Sequence, residues 1–478
     1  MIQQTILDRI SQGETTVLGL GVSNLPLVDF LLARGARVTV RERRERGEIP
    51  QADALEAKGV RLITGEGYLD GAWGDVIFRS PGIRPDLPQI TAACAAGACL
   101  TSEMELFFAL TPATVIGVTG SDGKTTTTTL IYRLLEAEAQ RSGSGARVWV
   151  GGNIGAPLLP HVEEMTVRDY AVVELSSFQL QTMRCSPQRA VMTNVTPNHL
   201  NWHIDMEEYV AAKSNICRHA PIRQFVANAC DPVTLELARN SDVDVTLFTA
   251  KREHYDEVVP EYMRDRARAL YLRDGIVFYG EPNRETPVLS VADILLPGVH
   301  NIENYMAAIA ATWGLCSGDV ITALARSFGG VEHRLEFVRE LDGVRYYNGS
   351  IDSSPTRTAA ALSALPGKPI CICGGSDKQV SFAPLAQTLL DRAGGVVLTG
   401  ETAKKIKAAL LEHPRWDGSL RIEERPRFAD AVEAARAMAV HGDIVILSPA
   451  CASFDQFRNF AERGNTFKAI VNAWESSQ

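Results

Sequence analysis

The chain has 478 residues, which at roughly 100 to 200 residues per domain predicts about three domains in series. Its 45% hydrophobic and 22% charged content excludes a disordered or collagen-like chain, and 48 basic against 57 acidic residues, a net charge of −9, argue against a broad nucleic-acid-binding face. There is no apolar run of about 18 residues, no charged-then-apolar leader and no lipidation box, so a cytoplasmic protein without a transmembrane segment is expected. Nine cysteines are scattered, with only Cys371 and Cys373 close together. None falls in a paired C-x-x-C pattern, and they read as reduced thiols.

In chain order, Thr15 to Leu20 is an apolar strand. Leu25 to Ala33 is a helix with apolar pairs four apart, and Arg37 to Val40 is a second strand, which together start a parallel α/β layer. The turn chemistry of Ser80-Pro81-Gly82-Ile83-Arg84-Pro85 interrupts it, and the unit closes near Leu100, ahead of a helix over Glu103 to Ala109. A strand over Thr114 to Val118 then enters a Gly-rich loop, Gly120 to Lys124, and a Thr-rich helix through Glu136. Gln140 to Ala146 reads as a polar loop before a strand over Val148 to Val150. Further strands are predicted at Tyr170 to Glu174 and Ala190 to Asn194. A third alternating unit has strands at Arg345 to Tyr347, Ile370 to Cys373, Val396 to Thr399 and Ile444 to Leu447. The predicted fold class is α/β with three consecutive domains, bounded at 1–101, 102–330 and 331–478.

Several motifs sit where strands end. Gly120-Ser121-Asp122-Gly123-Lys124-Thr125-Thr126 has the strand–loop–helix context of a phosphate-binding loop. Glycines there let successive N–H groups face phosphate oxygens, Lys124 reaches the terminal phosphates, and the Thr125 hydroxyl serves Mg²⁺. The usual first glycine is replaced by Val118, with Gly120 as the extra one. Gly19-Leu20-Gly21-Val22-Ser23-Asn24, with Glu42 about twenty residues on, is two-thirds of a dinucleotide fingerprint. It is open between a nicotinamide or flavin site, another nucleotide, and a plain tight turn. Glu174 and His199 each follow a strand end, where a carboxylate suits Mg²⁺ and an imidazole a less hard position. On residue chemistry alone Lys213 is a solvated helical cation. Asn301 and Asn304 share one helical face, with helix capping as the plainer alternative. Ser453 and neighbouring N–H groups, again beyond a strand, are placed to hold an anion, and the absence of G-x-S-x-G excludes a hydrolase elbow.

Taken together, Gly117 to Thr126, Gly152-Asn153-Ile154-Gly155, ELSSFQL from Glu174, NVTPNHL from Asn194, Ala212-Lys213, GVHNIEN from Gly298, Glu332 to Glu336, GGSDK from Gly374 and SPACASFDQFRNFAERG from Ser448 resemble the Mur ligase family. The ELSSFQL and SPACASFDQF blocks resemble its D-glutamate-adding branch. Folylpolyglutamate synthase is a relative that shares the central domain but not the last block.

The resemblance implies an N-terminal Rossmann-like domain, a central P-loop ATPase domain and a C-terminal Rossmann-like domain. It implies an ATP- and Mg²⁺-dependent ligase joining UDP-N-acetylmuramoyl-L-alanine to D-glutamate through an acyl phosphate, in peptidoglycan precursor synthesis, with a monomer expected. Gly21, Ser23, Asn24, Glu42, Ser80, Pro81 and Gly82 would hold the UDP end. Gly120 to Thr126 would bind ATP phosphates, Asn301 and Asn304 would lie near the adenine, and Arg334 would reach the phosphates. Thr125, Glu174, His199 and a Lys213 carbamylated by CO₂ would serve the metal, with Lys124, Glu174, His199 and Lys213 carrying the chemistry. Asn153, Ser177 and Gln179 would face the muramoyl substrate, and Lys378, Ser453 and Phe460 the D-glutamate.

This sequence departs from the family pattern at Asp122 (usually Asn), at Asn198 and Asn201 (commonly Asp), and at Gly349, where an aspartate usually follows the Asn. Asp352 is expected to take over the contact near ATP that Gly349 gives up. A ligase of different amino acid or acceptor, a nucleotide-binding regulator that has lost the chemistry, and a dinucleotide-dependent oxidoreductase are the competing functions.

Overall fold

The structure is a computed structural model that describes residues 7–11, 13–200, 202–250, 267–281, 284–377 and 380–476. The chain divides into two compact units, Met1–Asp293 with Ile302–Leu324, and Ile294–Asn301 with Ala325–Gln478.

The first unit holds two sheets. Strands β1 (Glu14–Leu18), β2 (Arg37–Glu42), β3 (Arg61–Thr64), β4 (Val76–Arg79) and β5 (Cys99–Thr101) form a five-stranded parallel sheet in the order β3-β2-β1-β4-β5. The order reverses between β2 and β4 about β1, so the crevice beyond the β1 and β4 C-termini is where such a sheet binds ligands. The loops 19–24 and 80–83 open there.

The second sheet has nine strands: β6 (Thr114–Thr119), β7 (Val148–Gly152), β8 (Tyr170–Glu174), β9 (Arg189–Met192), β10 (Gln224–Asn228), β11 (Asp244–Thr249), β12 (Arg268–Arg273), β13 (Ile276–Glu281) and β14 (Arg284–Ser290). Their order is β14-β13-β12-β11-β10-β9-β6-β8-β7. From β7 to β12 the pairs are parallel, and β12, β13 and β14 finish the sheet as antiparallel strands. β6, β8 and β9 are apolar and buried almost throughout, as strands covered on both faces must be. One continuous apolar core reaches from Ile10 to Tyr271 beneath both sheets.

The second unit is built on β15 (Glu336–Leu341), β16 (Val344–Asn348), β17 (Ile370–Gly374), β18 (Gly395–Thr399), β19 (Arg421–Glu424) and β20 (Ile444–Leu447), ordered β15-β16-β20-β17-β18-β19. Only the β15–β16 pair is antiparallel. Separate apolar clusters around Leu362 and Leu385 on one side, and Val432 and Phe467 on the other, sandwich the sheet.

The helix after the phosphate loop, expected to end at Glu136, runs Lys124–Ser142 and stops at Gly143 with φ +62°. Its last turn is polar on the outside and tied by the Arg141–Glu138 ion pair, and it is the left-handed glycine that ends it. The strand read as Ala190 to Asn194 ends at Met192, which releases Thr193 and Asn194 to side-chain work.

Candidate active site

The phosphate loop is shaped by two glycines that no other residue replaces. Gly120 has φ +151°, and a Cβ there would lie 1.8 Å from Thr193 Oγ1. Gly123 has φ +77°, and its Cβ would meet Asn304 Oδ1 at 2.4 Å. The residues just past β9 brace the loop: Thr193 Oγ1 donates to the Asp122 carbonyl at 2.5 Å, and Asn194 Oδ1 accepts from the Asp122 N–H at 2.9 Å. Ser121 is buried, its hydroxyl shared between Thr196 and the Tyr209 hydroxyl at 2.9 Å, so this side chain holds the loop together. Asp122 is exposed at the tip.

Lys124 turns back onto its own loop, donating to the carbonyls of Gly120 at 3.0 Å and Ser121 at 2.9 Å. Thr125 and Thr126 follow in the first turn, with Thr129 bonded to the Thr125 carbonyl. Asn304 reaches this turn through Thr127 at 3.2 Å. Asn301, in the same helix Val299–Thr312, donates to the Pro297 carbonyl at 2.7 Å, a bond at the helix start.

Glu174, at the end of β8, is 2% exposed. Its Oε1 accepts from Asn153 Nδ2 at 2.9 Å, while Oε2 has no hydrogen-bond partner among the described residues. A buried carboxylate oxygen left unpartnered is costly unless a cation or donor meets it, and this one stands at the C-terminal sheet edge beside the loop that Lys124 follows. Among the described residues no three His, Cys, Asp or Glu side chains cluster as a metal cage.

Lys213 corrects the reading of a solvated cation: on the helix Met206–Ser214 it is 2% exposed, donating to the Gly120 carbonyl at 2.7 Å and lying over the Tyr209 ring at 4.7 Å. Burial, and then the charge of Lys124, pull its pKa down to about 7. His199 has φ +56°, and its ring stands edge-on to Phe178 at 4.9 Å. Burial, and then the charges of Lys124 and Lys213, hold its pKa below the ordinary value, which favours the neutral imidazole.

Ser177 is buried against His203 Nε2 at 3.0 Å. Gln179 forms a capping box with Ser176, accepting from its N–H at 3.0 Å, so it builds the helix Ser177–Leu180. At the first sheet, Glu42 Oε2 accepts from Leu20 N–H at 2.7 Å and is tied to Arg44, while Asn24 donates to the Gly19 carbonyl at 2.8 Å. Both fix the loop that carries Gly21 and Ser23. Ser80, Pro81 and Gly82 form the facing turn, and a Cβ on Gly19 would touch Ser80 Cβ at 3.0 Å.

In the second unit the loops after β17 and β20 run side by side: Gly374 N–H donates to Pro449 at 2.8 Å and Ser376 N–H to Ala452 at 3.0 Å. Ser453 is buried at the end of one loop, and Phe460 is 40% exposed at the start of the helix Phe460–Ala473. Lys378 and Asn201 lie outside the described residues. Arg334 is exposed, its N–H bonded to Val331. Gly349 and Asp352 lie against each other at the end of β16.

Sequence reasoning missed three residues that organise these loops. Arg79, 1% exposed, donates to the Pro81 carbonyl at 3.2 Å and to the Phe178 carbonyl at 2.9 Å, joining the 80–83 turn to the helix after Glu174. Glu208 links Arg84 at 2.8 Å to the helix of Lys213. Arg463 is 2% exposed and donates to Ser350, Cys451 and Ala452. The one visible signal was an arginine closing the otherwise apolar run Val76-Ile77-Phe78.

Comparison with known proteins agrees with this architecture. The chain matches the Mur ligase MurD-like N-terminal domain over residues 13–102, the Mur ligase middle domain over 118–312, and the Mur ligase glutamate ligase domain over 333–451. It is 43% identical to the UDP-N-acetylmuramoylalanine--D-glutamate ligase of Acetivibrio thermocellus, covering 98% of both chains. It is 44% identical to the like-named enzyme of Clostridium novyi, over 97% of this chain and 98% of that one.

Solved structures share the fold at low identity. UDP-N-acetylmuramate-alanine ligase of Thermotoga maritima has TM-score 0.51 and 16% identity, over 97% and 100% of the chains. A UDP-N-acetylmuramoyl-L-alanyl-D-glutamate–2,6-diaminopimelate ligase has TM-score 0.54 and 18% identity, over 83% and 92%. With three domain matches in order, near-complete coverage and a phosphate loop braced as described, the chain belongs to the Mur ligase family.

Proposed function

We propose that the protein is the ATP-dependent ligase that adds D-glutamate to UDP-N-acetylmuramoyl-L-alanine in peptidoglycan precursor synthesis. The observation that carries this reading is identity above 40%, along essentially the whole chain, to ligases named for that reaction. The assignment of residues 1–101, 102–330 and 331–478 to uridine-nucleotide, ATP and amino-acid domains belongs to the same proposal.

A carboxylate is a poor electrophile and an ammonium is no nucleophile, so the two do not condense directly. The terminal carboxylate of the nucleotide substrate attacks the γ-phosphorus of ATP, the β–γ bridging bond breaks, and ADP leaves with an acyl phosphate formed. The D-glutamate amine, having lost its proton, attacks the acyl carbon and expels phosphate. The phosphate loop N–H groups and Lys124, swung from its own carbonyls onto the terminal phosphates, offset the charge that builds during phosphoryl transfer. Mg²⁺, when bound, neutralises phosphate oxygens as a Lewis acid.

Thr125, Glu174 and His199 are the side chains that would hold the metal. Glu174 Oε2, without a hydrogen-bond partner among the described residues, and the lowered pKa of His199 support that role. Lys213 supports carbamylation chemically: its lowered pKa eases loss of the ammonium proton, the amine nitrogen then bonds to the carbon of CO₂ with release of a second proton to solvent, and the carbamate anion would lie beside Lys124. Asn153, held on Glu174, would orient the muramoyl substrate, and Ser453, Phe460 and Lys378 would receive the D-glutamate.

The test is phosphate release by purified protein with ATP, Mg²⁺ and UDP-N-acetylmuramoyl-L-alanine. Release is expected with D-glutamate and not with L-glutamate or without amino acid. ATP binding with no release under any of these conditions would overturn the reading in favour of a nucleotide-binding regulator.

A further inference from the structure

At the opposite edge of the nine-stranded sheet from the phosphate loop lies a cavity of about 620 Å³, within the range of small-molecule sites. It is bounded by the N-terminal ends of β6, β8, β9, β10, β11 and β12. By strand rise it is about 17 Å from the loop that β6 feeds.

Its lining has more donors than acceptors. Arg189 is half-buried and uses one guanidinium nitrogen, donating to the Ala311 carbonyl at 2.7 Å. Its other nitrogens have no partner among the described residues, and burial pulls its pKa down with no carboxylate nearby to raise it. Arg223 has no side-chain hydrogen bond or ion pair among the described residues. Gln188 accepts from the Val115 N–H through Oε1 at 2.8 Å, which leaves its NH₂ group to the cavity.

The two acids of the lining, Asp244 and Glu281, both turn to Arg268, at 3.7 and 3.8 Å. They leave Arg189 and Arg223 uncompensated. One wall is aromatic: the half-buried Trp313 stacks on Tyr279, 1% exposed behind it, with centroids 3.8 Å apart and planes 14° from parallel.

A half-buried guanidinium without an acid is stabilised by an anion that brings its own oxygens, and an aromatic wall favours a planar body. We propose that this cavity binds a small planar organic anion, its phosphate or carboxylate head held by Arg189 and Arg223 and its ring against the Tyr279–Trp313 wall. The site is separate from the phosphate loop and does not depend on the ligase reading.

The experiment is titration calorimetry on the full chain with saturating ADP and Mg²⁺, using phenyl phosphate, benzoate and inorganic phosphate as probes. Phenyl phosphate or benzoate is expected to bind with a dissociation constant below about 1 mM, roughly tenfold tighter than inorganic phosphate. The tighter of the two ring compounds identifies the head group. Exposed Arg223→Ala is expected to weaken binding about tenfold with melting temperature and ligase turnover unchanged. Arg189→Met is expected to abolish binding, with Arg189→Lys restoring part of it. Absence of binding by both ring compounds at about 10 mM overturns the proposal. So does binding that ADP displaces, or that Arg223→Ala leaves intact.

Discussion

The carboxylate of Asp352 occupies the space that a side chain at position 349 would need: a Cβ built on Gly349 would lie 2.5 Å from Asp352 Oδ2 and 2.8 Å from the Leu447 carbonyl. The Asp352 N–H donates to the Gly349 carbonyl at 2.9 Å, and Oδ2 accepts from Ser448 Oγ at 2.8 Å. Glycine at 349 and a carboxylate at 352 therefore form one arrangement, in which the acid reaches the end of β16 from three residues downstream. Gly349→Ala is expected to destabilise the second unit by about 1–3 kcal/mol through overpacking. Adding Asp352→Gly should recover only the part of that loss that comes from the carboxylate, because the Leu447 carbonyl still crowds the new Cβ. Denaturant titration of the two single variants and the double variant measures the coupling, and additive costs would mean that the two positions do not compete for the same space.

The same carboxylate sets a pH dependence. Burial pushes the pKa of Asp352 up to about 7, against which Ser448 and the charges of Arg334, Arg357 and Arg463 pull it down. Between pH 3.8 and about 7 the folded chain keeps a proton that the unfolded chain has released. The protonated acid therefore stabilises the fold at low pH, and this contribution is lost as pH rises through that window, with a slope of at most about 1.4 kcal/mol per pH unit. Asp352→Asn should flatten that part of the stability profile. If Asp352 also serves the ATP site, Asp352→Ala raises the ATP KM, and an unchanged KM and kcat would remove it from that role.

Much of the framework was legible because strands buried on both faces are continuous apolar runs, as in Tyr170–Glu174 and Ile444–Leu447, which appear where the sequence places them. β4, β10 and β11 are just as buried and were not read as strands, whereas β13, β15 and β19 escaped because each carries polar residues through a half-wet face, as in Arg421–Glu424. The phosphate loop was readable because its glycines and lysine are contiguous. The burial of Lys213 was not, since the carbonyl of Gly120 is 93 residues away and only the fold brings it to the ammonium. Arg463 was invisible for the same reason, and Arg79 showed only as a charge closing an apolar strand, without its partners. Their charges are met by backbone carbonyls, which leave no mark in a sequence.

Lys213 yields a test of the proposed carbamate. Lys213→Ala removes both the bond to Gly120 and any carbamate, and turnover is expected to fall by about 10²-fold or more. Lys213→Arg, which keeps a cation but cannot be carbamylated, is expected to fall as far. Wild-type turnover in decarbonated buffer should rise on adding bicarbonate, while neither variant responds. A Lys213→Ala enzyme of normal activity would remove the carbamate from the mechanism.

Arg463 is the most heavily engaged buried cation in the second unit. Its Nε donates to Ser350 Oγ at 3.0 Å, its Nη2 to the Ser350 and Cys451 carbonyls at 2.9 and 3.1 Å, and its Nη1 to the Ala452 carbonyl at 3.1 Å. Ser350 Oγ in turn donates to the Phe460 carbonyl at 2.7 Å, so one guanidinium joins the loop after β16 to the loop carrying Ser453 and to the helix of Phe460. Burial pulls its pKa down to about 10, still high enough to keep it charged. Removing it leaves the Ser350 and Cys451 carbonyls without that donor and unties Ser350 Oγ and Ala452 from it, and Arg463→Ala is expected to destabilise the unit by about 3–5 kcal/mol. The more informative variant is Arg463→Lys, which keeps the charge but replaces a planar fork by a point donor. Where it folds, it should raise the KM for D-glutamate several-fold while leaving that for ATP near its original value, because the loops it aligns carry Ser453 and Phe460. Equal changes in both KM values would reduce Arg463 to a general stabiliser of the fold.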